Sequence, residues 1–195
     1  MSFAMLSALL AFAFVATVTP VPNNLMLMTS GANFGFRRTL PHMLGIVGGV
    51  SIMALLVGAG LMALFDAVPA LNLVLKVVSV GYLLWLAFKI GTAAPVEERD
   101  ADNHPMTVLQ AATFQWVNPK GWSMALTAIS VYSSGSSWWE LAIIAAIFTL
   151  ANLPSVTFWT AAGKQLQHWL TTPVRIKSFN YGMAGLLLAS TIPML

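Results

Sequence analysis

No cysteine occurs anywhere in the 195 residues. That absence removes structural disulfides, thiolate metal sites and thiol-relay chemistry across a membrane. Charge is nearly as scarce: 8% of the residues are Asp, Glu, Lys or Arg, against 58% apolar, a balance that fits an integral membrane protein and not a soluble domain. No Lys or Arg precedes Arg37, so the first apolar stretch lacks the basic leader of a secretory signal, although Ala11-Phe12-Ala13 has the small-residue pattern of a cleavage site. It reads as a membrane helix of the mature protein. A phosphate-binding loop is missing, since Gly163-Lys164 lacks the earlier glycine and the following hydroxyl. That rules out ATP hydrolysis by this chain, and the absence of His-x-x-Glu-His patterns and of acidic pairs inside apolar runs argues against an intramembrane hydrolase. The sequence therefore predicts no enzyme, no metal site and no cofactor. Its net charge of +3 comes without basic patches interleaved with aromatics, so the partner of the basic loops is anionic lipid and not nucleic acid.

What is present is a long apolar run, Phe3 to Phe36, interrupted by Thr19-Pro20-Val21-Pro22-Asn23-Asn24. As one straight helix it would be roughly 50 Å long at about 1.5 Å per residue, against a hydrocarbon core of about 30 Å. Pro20 and Pro22 have no N–H, so the carbonyls of Ala16 and Val18 lose their helical donors near mid-span. Broken backbone persists at membrane depth only where protein buries it or a watery cavity receives it. A proline kink that merely bends the helix is the plain alternative. A second interruption, Trp116-Val117-Asn118-Pro119-Lys120-Gly121 within the apolar stretch Thr107 to Tyr132, lies one half-chain later when Pro22 is set against Pro119. Paired interruptions of this kind point to a transporter's binding site.

The hydropathy predicts an all-α membrane protein with six transmembrane helices, at about 3–35, 41–65, 69–91, 107–132, 139–162 and 178–195, the first and fourth broken at proline. Pro41 and Pro69 are read as helix starts. The Gly45/Gly49 spacing predicts close approach of a neighbouring helix, and Asn72 and Lys76 share a face of the third span. Residues 1–195 form one membrane domain: repeat one at about 1–91, a charged linker at about 92–106, and repeat two at about 107–195. Gly163 to Leu170 reads as a short surface helix ended by Pro173, and Asn152 with Pro154 as a milder kink. Seven of the nine basic residues, Arg37, Arg38, Lys89, Arg99, Lys164, Arg175 and Lys177, fall in or beside the odd-numbered connections. The positive-inside rule makes those connections cytoplasmic and both termini extracytoplasmic. Three spans per half then give two inverted three-helix repeats.

Two basic residues remain inside spans. Lys120 follows Asn118, a candidate N-cap, and Pro119, a candidate first helical residue, so its cation sits at the positive end of a helix dipole. An anion nearby would stabilise it, and a substrate carboxylate held with the free N–H groups of that helix start is the sharp reading; snorkelling to an interface is the other. The carbonyls of Ala16, Val18 and Gln115 are the expected partners of a substrate ammonium. Asn23, Asn24 and Asn118 serve as caps, ligand contacts or both. The candidate substrate-binding residues are Thr19, Pro20, Pro22, Asn23, Asn24, Gln115, Asn118, Pro119, Lys120 and Lys76, with Lys76 the weakest. His42, His104 and His168 lie in or next to connections and read as solvated or interfacial, which leaves no proton relay in view.

The run Thr19-Pro20-x-Pro22-Asn23-Asn24-Leu25, the later Gly31 and Gly35-Phe36-Arg37-Arg38, the stretch Leu75-Lys76…Gly81-Tyr82-Leu83-Leu84-Trp85-Leu86-Ala87-Phe88-Lys89, and Asn118-Pro119-Lys120 together resemble the LysE/RhtB amino-acid exporter family. The resemblance covers nearly the whole chain. It implies a small six-helix secondary transporter of the bacterial inner membrane that exports amino acids or their derivatives by proton exchange. That family usually has glycine where this chain has Val21. Apart from Glu140 at the very start of the fifth, no Asp or Glu lies inside a span to balance a second positive charge, so small neutral substrates such as threonine, homoserine or cysteine-like compounds are expected over lysine. A passive channel and a non-transporting structural subunit are the competing readings, and a homo-oligomer stays open beside a monomer.

Overall fold

Ser2 starts the first helix, α1 (Phe3–Val18), by accepting the Met5 N–H at 3.2 Å, and the chain leaves helical geometry two residues before Pro20. Pro22 opens α2 (Pro22–Phe34) from Val21, whose φ of −136° and ψ of 167° are ordinary extended backbone. A valine there carries no conformational strain. The two helices meet at 55°. In this computed structural model, residues 1–68, 70–93, 104–133, 137–189 and 191–192 are described, apart from the side chains of residues 62, 64, 66 and 72. Most of the expected linker, Pro69 and the Asn72 side chain fall outside them.

Gly35, at φ +78°, turns the chain sharply into α3 (Phe36–Leu56), a backbone region that residues with a Cβ rarely enter. The second span therefore begins at Phe36 and not at Pro41. Pro41 sits inside α3, where it removes only the bond to the Arg37 carbonyl, so the expectation that it starts the helix is corrected. A π turn (Val57–Leu61) containing Gly60 at φ +100° leads to α4 (Met62–Ala67). Next come α5 (Ala70–Gly91) and α6 (Val108–Phe114), the latter begun by a capping box between Thr107 and Gln110. A 3-10 turn over Gln115–Val117 separates α6 from α7 (Pro119–Tyr132), with Asn118 as N-cap and Pro119 as first residue. The helix α8 (Trp138–Leu166) runs unbroken past Pro154, and α9 (Pro173–Ala189) follows. Residues 163–166 are thus the last turn of α8 and not a separate surface helix.

Every described element is helical. Phe36–Leu61, Leu73–Gly91 and Trp138–Leu166 are each long and apolar enough to cross a membrane, and the bent α1–α2 pair adds a fourth crossing if it acts as one span. The interrupted α6–α7 segment and the 17-residue α9 are shorter pieces.

Helix α8 is the hub, packed against α1, α2 and α3, while α3 also lies on α6 and α5 on α9. Glycines make two of these approaches so close that a methyl group would strike main chain. At Gly163 it would collide with the Met28 carbonyl, and at Gly45 with the Val108 carbonyl, the latter as the Gly45/Gly49 spacing predicts. Gly182, in α9, has open space where a Cβ would go. The two sites therefore predict opposite signs. Gly163→Ala is expected to lower the thermal unfolding midpoint in detergent, through roughly 1–3 kcal/mol of overpacking, whereas Gly182→Ala gains up to about 1 kcal/mol of helix propensity. Equal midpoints for the two variants would refute the tight α2–α8 seam.

The ends of α2 and α5 adjoin one another, and the end of α2 also meets the chain after α8 and the start of α9. The segments bearing Arg37, Arg38, Lys89, Lys164, Arg175 and Lys177 consequently gather at one end of the bundle.

Candidate functional site

The break in α1–α2 leaves carbonyls that the helix can no longer satisfy, and in an apolar surrounding each such group costs about 1–3 kcal/mol unless another donor reaches it. Side chains supply the donors. Asn24 Nδ2 donates to the carbonyls of Thr17 (2.7 Å) and Thr19 (2.6 Å). From α8, Ser155 Oγ donates to the Thr17 carbonyl at 2.8 Å and Trp159 Nε1 to the Val18 carbonyl at 3.0 Å. Thr19 Oγ1 closes back on the Ala16 carbonyl at 3.1 Å. In the other direction, Thr17 Oγ1 reaches the Ala151 carbonyl at 3.3 Å, three residues before Pro154. The expectation that the Ala16, Val18 and Gln115 carbonyls stand empty is corrected: protein donors already hold all three, Gln115 through the Asn118 N–H at 3.1 Å. A carbonyl has two lone pairs, so acceptor capacity survives at Ala16 and Val18, but none of the three is bare. Trp159→Phe keeps the ring and deletes the donor, so it is expected to destabilise the protein by about 1–3 kcal/mol, measurable as a lower midpoint of denaturant unfolding in micelles.

The second break is held against the first. Gln115 is fully buried and its amide is saturated: Nε2 donates to Asn23 Oδ1 (3.1 Å) and to the Ala111 carbonyl (2.9 Å), while Oε1 accepts from Asn23 Nδ2 (2.8 Å) and Asn118 Nδ2 (3.2 Å). Asn118 Oδ1 caps α7 by accepting the Lys120 N–H at 3.2 Å, as its place before Pro119 predicts. Lys120 Nζ donates to Thr19 Oγ1 at 2.5 Å. One continuous chain of donors thus runs from Lys120 through Thr19 to the Ala16 carbonyl.

Nine of the ten expected residues, Thr19, Pro20, Pro22, Asn23, Asn24, Gln115, Asn118, Pro119 and Lys120, therefore belong to the two facing breaks. The tenth, Lys76, is exposed on α5, which contributes no side chain to this cluster. Sequence reasoning missed Thr17, Ser155, Trp159 and the side-chain role of Gln115. A signal was available for two of them: Ala151, Ser155 and Trp159 recur every four residues, which puts two hydrogen-bond donors on one stripe of an otherwise apolar helix. Asn152, next to that stripe, is buried with its Nδ2 unpartnered among the described residues.

The sequence has relatives among known proteins. The family model of the LysE type translocator matches residues 14–191. The chain belongs to the LysE family. This is a family of translocators, which agrees with the absence of enzyme motifs. Among similar LysE-family proteins are a cysteine/O-acetylserine efflux protein of Klebsiella pneumoniae, 28% identical over 94% of this chain and 93% of that one, and one of Escherichia coli O1:K1, 28% identical over 84% of each. The protein of the same description from Salmonella typhimurium is 30% identical over 66% of this chain and 65% of its own length. No solved structure matches.

Proposed function

We propose that this LysE-family protein exports small neutral amino acids, cysteine and O-acetylserine foremost, across the bacterial inner membrane in exchange for protons. The reading is carried by one observation: two interrupted helices, far apart in the chain, face each other through Thr19–Lys120 and Asn23–Gln115. Interrupted helices that meet in this way form substrate sites in transporters built of inverted repeats. The substrate carboxylate binds at Lys120 and the start of α7, where the half-helix dipole is positive. Its ammonium takes the remaining lone pairs of the Ala16 and Val18 carbonyls, with Asn23, Asn24 and Asn118 framing the pocket.

The architecture that suits this function is a single domain of six spans, repeat one at about 1–91 and repeat two at about 107–195, inserted with opposite orientations. The basic end of the bundle faces the cytoplasm and both termini face outward. Substrate choice follows from charge, because the broken helices themselves carry no Asp or Glu to balance the second cation of a diamino acid. The names of the relatives favour cysteine and O-acetylserine over threonine or homoserine.

Purified protein in liposomes tests the reading, with labelled cysteine, O-acetylserine, threonine and lysine offered in turn under an imposed pH gradient. Saturable, gradient-dependent flux of cysteine or O-acetylserine with little lysine flux is the expected result. Preferred lysine transport would overturn the substrate class. Non-saturating conductance would make the protein a channel, and no flux of any substrate would leave a structural subunit.

A further inference from the structure

His42 contradicts the expectation of a solvated or interfacial histidine. It lies on α3, 2% exposed, and neither ring nitrogen has a partner among the described residues. The ring lines a cavity of about 120 Å³ together with Thr29, Ser30 and Asn33 of α2, Lys89 of α5 and His104. This space is distinct from the facing breaks, which sit at the other end of α2. A neutral imidazole needs one acceptor and one donor, and an imidazolium two acceptors; burying it without any is unfavourable. The pocket is open to the surface and lined by apolar as well as polar groups, with room for water that could serve both nitrogens. His104, on the same pocket, is exposed.

Two helix ends bear on the charge of this pocket. The cavity sits at the C-terminal ends of both α2, which ends at Phe34, and α5, which ends at Gly91. Each helix end carries partial negative charge. Against this stand the cations. Lys89 lines the same cavity with its ammonium 5.2 Å from the Trp85 ring centroid, and the Arg38 guanidinium lies 5.6 Å from that of Phe34. Among the described residues no carboxylate lines it. Of the helices packed on α3, neither α2 nor α6 has an ionisable side chain; α7 has Lys120 and Tyr132, and α8 has Glu140 and Lys164 near its ends. His42 is thus the buried imidazole of this pocket and His104 the exposed one.

We propose that His42 is the group that carries the exchanged proton, taking it from water in this cavity as an imidazolium and returning it as neutral imidazole. The inference rests on the proton-exchange reading above. Helix α2 links the two sites physically. Its first turn holds Asn23 and Asn24 in the broken-helix cluster, and its last two turns line the His42 cavity, so charge placed under its C-terminal end acts on the element that closes the substrate site.

The test uses full-length protein in liposomes with labelled cysteine and an internal pH indicator. Parent and His42→Gln are compared in two modes: accumulation driven by a pH gradient, and one-for-one counterflow, which needs no net proton movement. His168→Gln, an exposed histidine outside both sites, is the control. The expected result is that His42→Gln loses gradient-driven accumulation and its proton flux while still exchanging substrate, and that the control behaves as the parent. If the parent itself moves no protons, the exchange reading fails and this inference with it. If the parent does and His42→Gln accumulates cysteine equally well, His42 is not the carrier and the exchange reading stands. Loss of both modes in a variant with the parent's thermal midpoint would also overturn the proposal, by making His42 part of substrate movement itself. Ring-carbon NMR of the parent decides the case where His42→Gln is poorly folded. A His42 resonance that changes protonation state across the pH gradient used in the transport assay supports the proposal, and one that does not refutes it.

Discussion

Gln115→Leu is expected to abolish transport and to destabilise the protein by about 2–5 kcal/mol. The side chain is fully buried, and both its donors and both its lone pairs are used. Leucine fills a similar volume but returns nothing, so Asn23 loses a donor and an acceptor together and Asn118 loses the acceptor for its amide. Those groups cannot turn to water without opening the seam between the two breaks. The loss therefore exceeds that of one ordinary hydrogen bond, and it falls at the residues that shape the site. Denaturant unfolding in micelles measures the stability, and liposome flux measures the function. A double-mutant cycle with Asn23→Ala should give a coupling of about 0.5–3 kcal/mol. Additive effects, or a Gln115→Leu protein with the parent's stability and flux, would sink the claim that this amide joins the halves.

Lys120→Met separates stability from function in the opposite sense. Lysine near the middle of a membrane segment costs about 2.5–3.5 kcal/mol on insertion scales, and here it also stands at the positive end of α7. Methionine keeps the chain length and removes both penalties, so the variant should insert at least as well as the parent and unfold no earlier. Transport should nonetheless fall by roughly 10- to 100-fold, since a hydrogen bond to a charged group is worth about 1.5–3 kcal/mol and about 1.4 kcal/mol is a factor of ten. Flux per inserted molecule is the measurement. Export at the parent's rate would reduce Lys120 to a residue that merely tethers Thr19.

Much of this site could be read from the chain, because proline acts through covalent structure: a missing N–H at Pro20, Pro22 and Pro119 interrupts a helix whatever surrounds it. That the interruptions meet was legible from their matching positions. What filled the gaps was not. Backbone reasoning left the Ala16 and Val18 carbonyls open, whereas Trp159 and Thr19 close them, and which side chain reaches a carbonyl across a helix interface depends on packing that no local pattern encodes. His42 was misjudged for a different reason. Taking Pro41 as a helix start placed the next residue in a connection, but the corner is Gly35, and the ring lies a full turn and more inside α3.

The stub of α1 is fastened to α8 by Ser155, Trp159 and the reverse contact from Thr17, while towards α7 the described residues offer one hydrogen bond, Lys120–Thr19, besides the Phe12–Tyr132 ring contact further back. Any rocking of one half past the other will therefore carry the α1 stub along with α8 as a rigid pawl, and the lysine is the catch it slips. On the proposed reading, a substrate carboxylate that captured Lys120 would release that catch, and loading of cargo and freedom to move would become the same event.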